Sequence, residues 1–390
     1  MTSPFLDSLT LASLIAPITE EDFHAHYWEQ KPLIVHRADL DYYGDLFTLR
    51  KFDEAVMRER TQIKTANAVT SKNKSYKTEL VQGLEALLAD MREGGTIVLD
   101  SWHRVDPQLG LLCRALGAEF SHQCQANLYL TPPHGKGFPP HWDNHDVFIL
   151  QVVGSKKWQI EKDRRLLPRK DQTMPEWGRE LQGEVLSFTL NQGDLIYMPR
   201  GFVHRAESGA EPSLHITLGV TAIFLEDLLD ATITAAIQRD DRLRVTMPFK
   251  FMNGTVEQLG QQVMTALRDI AADETFVNTV VAQFRDKMVR SFPLDVSGQI
   301  LDFFQPAPLT CADIVGPRRG IVYQKHVEDD SVRLNFGSQS IVFPGFLRPS
   351  LDYALNTPAY AVREVAGELE DDEKIVFIER LILDGLVVRK

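Results

Sequence analysis

The stretch Gly137-Phe138-Pro139-Pro140-His141-Trp142-Asp143-Asn144-His145-Asp146-Val147-Phe148 decides how this chain is read. His141 and Asp143 stand two residues apart, and on an extended segment such residues point to the same side. One further imidazole would complete two histidines and one carboxylate. That facial set holds non-haem Fe(II) and leaves cis positions open for a chelating cosubstrate and dioxygen. An H-x-D pair alone says little, and its weight comes from what surrounds it.

Working outward, an apolar run from Val147 to Val153 reads as a strand, and Gly154-Ser155 as the turn that ends it. Gly193-Asp194-Leu195-Ile196-Tyr197-Met198-Pro199-Arg200-Gly201-Phe202-Val203-His204 then reads as a turn, a strand and a Pro-Gly bend that presents a histidine. His204 is the third expected ligand. In Ser155-Lys156-Lys157-Trp158-Gln159-Ile160, strand alternation puts Lys156 on the face of Trp158 and Ile160. If that face is interior, the ammonium needs a partner, because an unpaired buried charge is costly. The distal carboxylate of 2-oxoglutarate would supply one; the alternative is a hairpin-end lysine reaching solvent.

Further short strands are expected at Leu33-Ile34-Val35, Thr96 to Leu99, Gln125 to Leu130, Lys157 to Ile160, Val185 to Leu190, Leu195 to Met198 and His215 to Val220. From about Gly95, regular short strands with tight turns indicate an all-β sandwich or barrel. Residues 1–60 read as helical with short extended pieces, and Thr19 caps a helix with acids in its first turn. After Val220 the helical period returns, with Phe224, Leu225, Leu228, Leu229, Ile233 and Ile237 first, then Val263 to Ile270 and Phe276 to Phe284. Phe304-Gln305-Pro306-Ala307-Pro308 reads as a linker. Two β-like runs (Gly320 to Lys325, Ser331 to Phe336), two helices and a terminal Leu386-Val387-Val388 follow.

A chain of 390 residues suggests two or three domains, and its 44% apolar and 25% charged residues are ordinary for a globular protein. No run of about 18 apolar residues argues for a membrane span, and the N-terminus lacks a basic segment followed by an apolar one. Cys113, Cys124 and Cys311 form neither a metal spacing nor an even disulfide set, which fits a reducing, cytoplasmic setting. A net charge of −12 disfavours nucleic acid as a partner and permits a basic one.

Taken jointly, the motifs resemble those of the JmjC-type ribosomal oxygenases, cupin-fold 2-oxoglutarate enzymes that hydroxylate histidine or arginine in ribosomal proteins. The resemblance runs from Tyr27-Trp28-Glu29-Gln30-Lys31-Pro32-Leu33 through Asn127-Leu128-Tyr129-Leu130-Thr131-Pro132-Pro133 and the H-x-D segment. It continues through Gly154-Ser155-Lys156-Lys157-Trp158 and Pro199 to His204, to Ser213-Leu214-His215-Ile216-Thr217-Leu218. It implies a double-stranded β-helix with N-terminal α/β elements over 1–221, a helical dimerisation region over 222–304 and a winged-helix-like domain over 305–390. It implies iron on His141, Asp143 and His204, 2-oxoglutarate held by Lys156 with Asn127 nearby, O2 as co-reactant, and a homodimer acting on a ribosomal protein or other basic peptide. Lys156 and the Ser213–Leu218 segment are similar to the histidine-hydroxylating branch, whereas Gly219 departs from relatives that carry serine near the cosubstrate.

Other readings stay open on residues alone. His145 shares the parity of His141. Parity places His215 opposite Leu214, Ile216 and Leu218, as a polar group on the cosubstrate side or a hydrogen-bonded core histidine. Tyr129 and Trp142 are candidates for the substrate channel or for core, and Gln151 for a substrate contact. His103, His122, His134 and His326 read as surface or loop residues. The same chemistry on a non-ribosomal peptide or small molecule, and a non-catalytic cupin-like metal-binding regulator, are the competing functions.

Overall fold

The computed structural model describes residues 5, 8–58, 63–66, 79–80, 84–163, 167–174, 179–247, 249–295, 297–304 and 308–390. The chain divides into two compact units, Met1–Ala222 and Ile223–Lys390.

In the first unit, the helices Leu11–Ile15 and Glu20–His26 precede strand β1 (Leu33–Val35). Thr19 caps the second helix by accepting from the Asp22 N–H at 3.1 Å, and three acids in the first turn face the positive end of the helix dipole. Strands β2 (Ile63–Ala66), β3 (Glu79–Leu80), β4 (Thr96–Leu99) and β5 (Gln123–Thr131) follow, with the helices Leu49–Arg58, Leu84–Arg92 and Pro107–Phe120 among them. Then come β6 (Asp146–Val153), β7 (Ser155–Glu161), β8 (Val185–Asn191), β9 (Leu195–Met198), β10 (His204–Ser208) and β11 (Ser213–Thr221).

These strands form an eight-stranded sheet in the order β1-β9-β6-β11-β5-β4-β2-β3 and a three-stranded sheet in the order β10-β7-β8. β6 is buried over nearly its whole length, which explains its almost unbroken apolar run. Phe148, Leu150 and Val152 pack with Leu214, Ile216, Leu218, Ala126 and Leu128 into the core that includes the helical residues Phe23, Leu109, Leu112 and Leu116. Val147 and Ile149, on the opposite face, join Ile196 and Met198 of the neighbouring β9, Phe202 of the bend after it, and Trp158, Ile160 and Leu190 of the smaller sheet. The architecture is thus mainly β, a strand sandwich with helices on the outer side of the larger sheet.

Expected and observed strands coincide at β1, β4 and β9, and differ by a residue or a few at the ends of β5, β6, β7, β8 and β11. The strand-and-turn reading from Gly95 onward passes over the helix Pro107–Phe120, which Asp106 caps through the Gln108 and Leu109 N–H groups with proline at its start. His103 and His122 are half-buried, against the surface reading: the first accepts from the Ala126 N–H at 3.2 Å, and the second stacks on Trp28.

The second unit begins with the helices Leu225–Arg239, Val256–Ala272, Glu274–Ser291 and Gln299–Phe304. The expected linker falls partly outside the described residues. Beyond it stand two three-stranded sheets, which share one apolar core with the helices Arg348–Asn356 and Asp371–Leu383.

Candidate metal centre

Two arms of the chain converge between the sheets. The first is the extended segment that carries His141 and Asp143 into β6; the second is the bend after β9 that carries His204 into β10. Main-chain bonds lace the arms together. The His141 N–H donates to the His204 carbonyl at 3.1 Å, the His204 N–H returns to the His141 carbonyl at 2.8 Å, and the Gly201 N–H donates to the Asp143 carbonyl at 3.0 Å. Gly201 has φ +86°, a backbone conformation that favours glycine, so the residue type follows from the bend.

The side chains meet as the spacing requires. His141 Nε2 lies 3.9 Å from one Asp143 carboxylate oxygen and His204 Nε2 lies 3.7 Å from the other. The three ligand atoms all fall within 4.8 Å of one another, so an ion at their centre would lie near ordinary coordination distance from each. Each imidazole is steered from behind. Nδ1 of His141 lies 2.8 Å from the Pro139 carbonyl and Nδ1 of His204 lies 3.0 Å from the Phe202 carbonyl. Those carbonyls call for the Nδ1–H tautomer, which leaves both Nε2 lone pairs facing the carboxylate. Burial, reinforced by the neighbouring His204, lowers the His141 pKa to about 4, so it is neutral and able to ligate near neutral pH. Burial acts to raise the Asp143 carboxyl, but His141, His204 and His145 outweigh it and hold the pKa below the ordinary value. The set is two imidazoles and one carboxylate, a donor combination suited to a divalent ion such as Fe(II).

The three groups open onto a cavity of about 140 Å³ whose other lining residues include Tyr129, Lys156, Trp158, His215 and Thr217. Lys156 is 3% exposed, on the inner face with Trp158 and Ile160, as strand parity requires. Its Nζ donates to Thr131 Oγ1 at 2.9 Å, and among the described residues no carboxylate pairs with it. Burial accordingly lowers its pKa from 10.5 to about 7. His215 stacks on Tyr129 with ring centroids 4.9 Å apart, and burial, then the charge of Lys156, push its pKa well down. His215 Nδ1 and Trp158 Nε1 are buried and have no hydrogen-bond partner among the described residues. A small anion with a carboxylate at the Lys156 end and a chelating end at the metal would meet these groups.

Other candidates lie elsewhere. Asn127 accepts from the Ser101 N–H at 2.7 Å and does not line the cavity, while Tyr129, two residues on, does. Trp142 packs with Met174 and Val203, away from the cavity, as its opposite parity to His141 and Asp143 dictates. Gln151 is fully buried, its amide donating to Ser213 Oγ and the Val153 carbonyl, so the substrate-contact reading fails. His145 remains outside the cluster of ligand atoms, its Nδ1 3.1 Å from Asn144 Oδ1. A Cβ at Gly219 would come within 2.9 Å of the His145 ring, so the serine of relatives has no room here while that ring stays. Thr131 was not singled out by sequence reasoning, although its position two residues beyond Tyr129 on β5 puts it on the same face.

Residues 103–228 match the family profile of the JmjC domain. Ribosomal oxygenase 1 of Gallus gallus is 32% identical over 251 residues, 60% of this chain and 41% of that protein. A bifunctional lysine-specific demethylase and histidyl-hydroxylase of Drosophila persimilis is 31% identical over 249 residues, 61% of this chain and 36% of its own length. The chain thus spans well under two thirds of these curated relatives. Among solved structures, Escherichia coli ribosomal oxygenase YcfD aligns over 96% of this chain and 98% of its own, with TM-score 0.57 and 16% identity. A structure of YcfD with cobalt and 2-oxoglutarate aligns with TM-score 0.57 and 15% identity over 96% of this chain and 99% of that one. These likenesses establish a JmjC/cupin-like fold. No described helix is long and apolar enough to cross a membrane.

Proposed function

We propose that this chain, which carries a JmjC domain, is an Fe(II)- and 2-oxoglutarate-dependent dioxygenase that hydroxylates a side chain of a ribosomal protein, histidine ahead of arginine. The observation that carries the reading is the buried Lys156, whose only partner among the described residues is a hydroxyl, in the cavity that also holds His141, Asp143 and His204. A structural role would have paired that ammonium.

His141, Asp143 and His204 would hold the ion, and Lys156 with Thr131 would hold the distal carboxylate of 2-oxoglutarate. When bound, iron, 2-oxoglutarate and O2 supply the oxidant for C–H hydroxylation, and succinate and CO2 are released. The chain's own part is to keep cis positions open, orient the cosubstrate along the line from Lys156 to the ligands, and keep bulk water out. His215, neutral and against Lys156, is the candidate further contact, and Asn127 acts through its neighbour Tyr129.

Histidine is favoured because a relative's name includes histidyl-hydroxylase activity. A ribosomal protein suits the net charge of −12, since such proteins have basic tails, and the cytoplasm is where the enzyme would meet it. Homodimerisation through 222–304 is supported by exposed Leu225, Leu229, Ile233 and Ile237, an apolar stripe at four-residue steps. The region 305–390 is read as a winged-helix-like interaction domain, not a DNA-binding one.

Purified protein with Fe(II) is expected to release succinate from 2-oxoglutarate, and His141→Ala to reduce release to background; retained turnover would refute the ligand assignment. Intact-mass comparison of ribosomal proteins with and without this protein should show one oxygen gained on one of them. A gain only on another peptide or a small molecule would move the substrate and leave the chemistry.

A further inference from the structure

No residue of the motif Tyr27 to Leu33 is among those that line the cavity, yet the motif lies behind the bend that delivers His204. Arg200, in the middle of that bend, is 5% exposed and Asp146 is fully buried. One Asp146 carboxylate oxygen accepts from the Arg200 main-chain N–H at 3.2 Å and from the Tyr197 hydroxyl at 3.0 Å. The other accepts from Arg200 Nη1 at 3.0 Å, so a single carboxylate grips both the backbone and the side chain of the same residue. Arg200 Nη1 also pairs with Glu29 Oε1, and the Glu29 N–H donates to the Tyr197 hydroxyl at 2.8 Å. Asp146 stands three residues after Asp143, and Arg200 four before His204. The network therefore joins the two ligand-bearing arms just outside the metal centre and ties both to the N-terminal segment.

A buried ion pair is an expensive way to fill space, and apolar residues of equal volume often serve stability better. What it supplies is direction: fixed bond vectors on a bend that must place an imidazole correctly. We propose that Arg200 is a positioning residue for the metal ligands, held by Asp146 and Glu29 so that the His204 arm closes on His141 and Asp143. The motif Tyr27 to Leu33 thereby gains a role, as the back support of the centre. The proposal rests on the metal-binding reading of those three side chains, but its test does not depend on catalysis.

The test is anaerobic cobalt(II) titration of the full chain, followed by visible absorbance, with thermal melting in parallel. Groups that orient ligands typically change metal affinity by about 10- to 100-fold. Arg200→Met is expected to raise the cobalt Kd by at least about tenfold and to alter the absorption bands, with Arg200→Lys intermediate. Glu29→Gln, at a partly exposed carboxylate, is expected to raise the Kd by about threefold and keeps the test decisive if Arg200→Met fails to fold. Arg205→Met, whose side chain meets Gln159 instead, should bind like the parent. Unchanged affinity and spectrum in folded Arg200 variants, or in Glu29→Gln where those variants do not fold, would overturn the proposal. Failure of the parent chain to bind cobalt would overturn the metal-centre reading, and this role with it.

Discussion

On β11, Leu214, Ile216 and Leu218 enter the apolar core beneath the helices, while His215 and Thr217, each one residue along, line the cavity. The same contrast runs through β5 and β6: Ala126, Leu128, Phe148 and Leu150 on one face, Tyr129, Val147 and Ile149 on the other. A strand that alternates by two thus serves stability and chemistry with neighbouring residues. The difference between the faces is what they leave unfinished. The outer face is closed by packing, whereas the inner face holds an amine, an imidazole and an indole N–H that the described residues do not fully satisfy.

That contrast predicts separable damage. On the outer face, Phe148→Ala should cost about 3–5 kcal/mol of stability through the cavity it leaves, read by urea unfolding, while the molecules that remain folded bind cobalt as the parent does. Weakened cobalt binding in that folded fraction would show that the faces are not independent.

On the inner face, Lys156→Met should raise the KM for 2-oxoglutarate by about 100-fold, equivalent to about 3 kcal/mol for a lost buried charge partner, with no loss of melting temperature. The sign follows from the depressed pKa. The stabilisation gained by keeping Lys156 neutral in the fold is fully present above pH 10.5 and is lost as the pH falls through about 7. The cosubstrate-free protein should therefore gain stability from pH 7 to 10 by this group, and Lys156→Met should remove that gain. An equally pH-sensitive mutant would place the slope elsewhere.

The smallest effect is expected where the inner face is crowded. Gly219→Ala should cost about 1–2 kcal/mol by pressing on the His145 ring, and His145→Ala should relieve it in the double variant. Simple additivity of the two would show that the ring moves aside freely.

Six of the eight strands of the larger sheet, and the meeting of His141, Asp143 and His204, were legible because short apolar runs between Gly, Pro and Asp turns leave little freedom in strand placement, as at β1, β4 and β9. By contrast, β2 and β3 were not read as strands. The helix Pro107–Phe120 carried its signal in Asp106-Pro107 and in the spacing of Leu109, Leu112 and Leu116, but it lies between strands and was passed over. β10 was not legible in that way. Its sequence, His204 to Ser208, has no apolar alternation, and its strand character comes from pairing with β7. Asn127 and Thr131 show the remaining limit. Parity gives the face a residue occupies, but which of several inward groups reaches the cavity depends on neighbours distant in sequence, such as Ser101 for Asn127.

The reciprocal main-chain bonds between His141 and His204 have one more consequence. Because backbone already fixes both imidazoles, seating an ion demands little fresh loss of chain entropy, unlike small domains whose folding is driven by their metal. If the three side chains hold an ion, the centre would be a standing socket that a chelator could empty without loss of its shape.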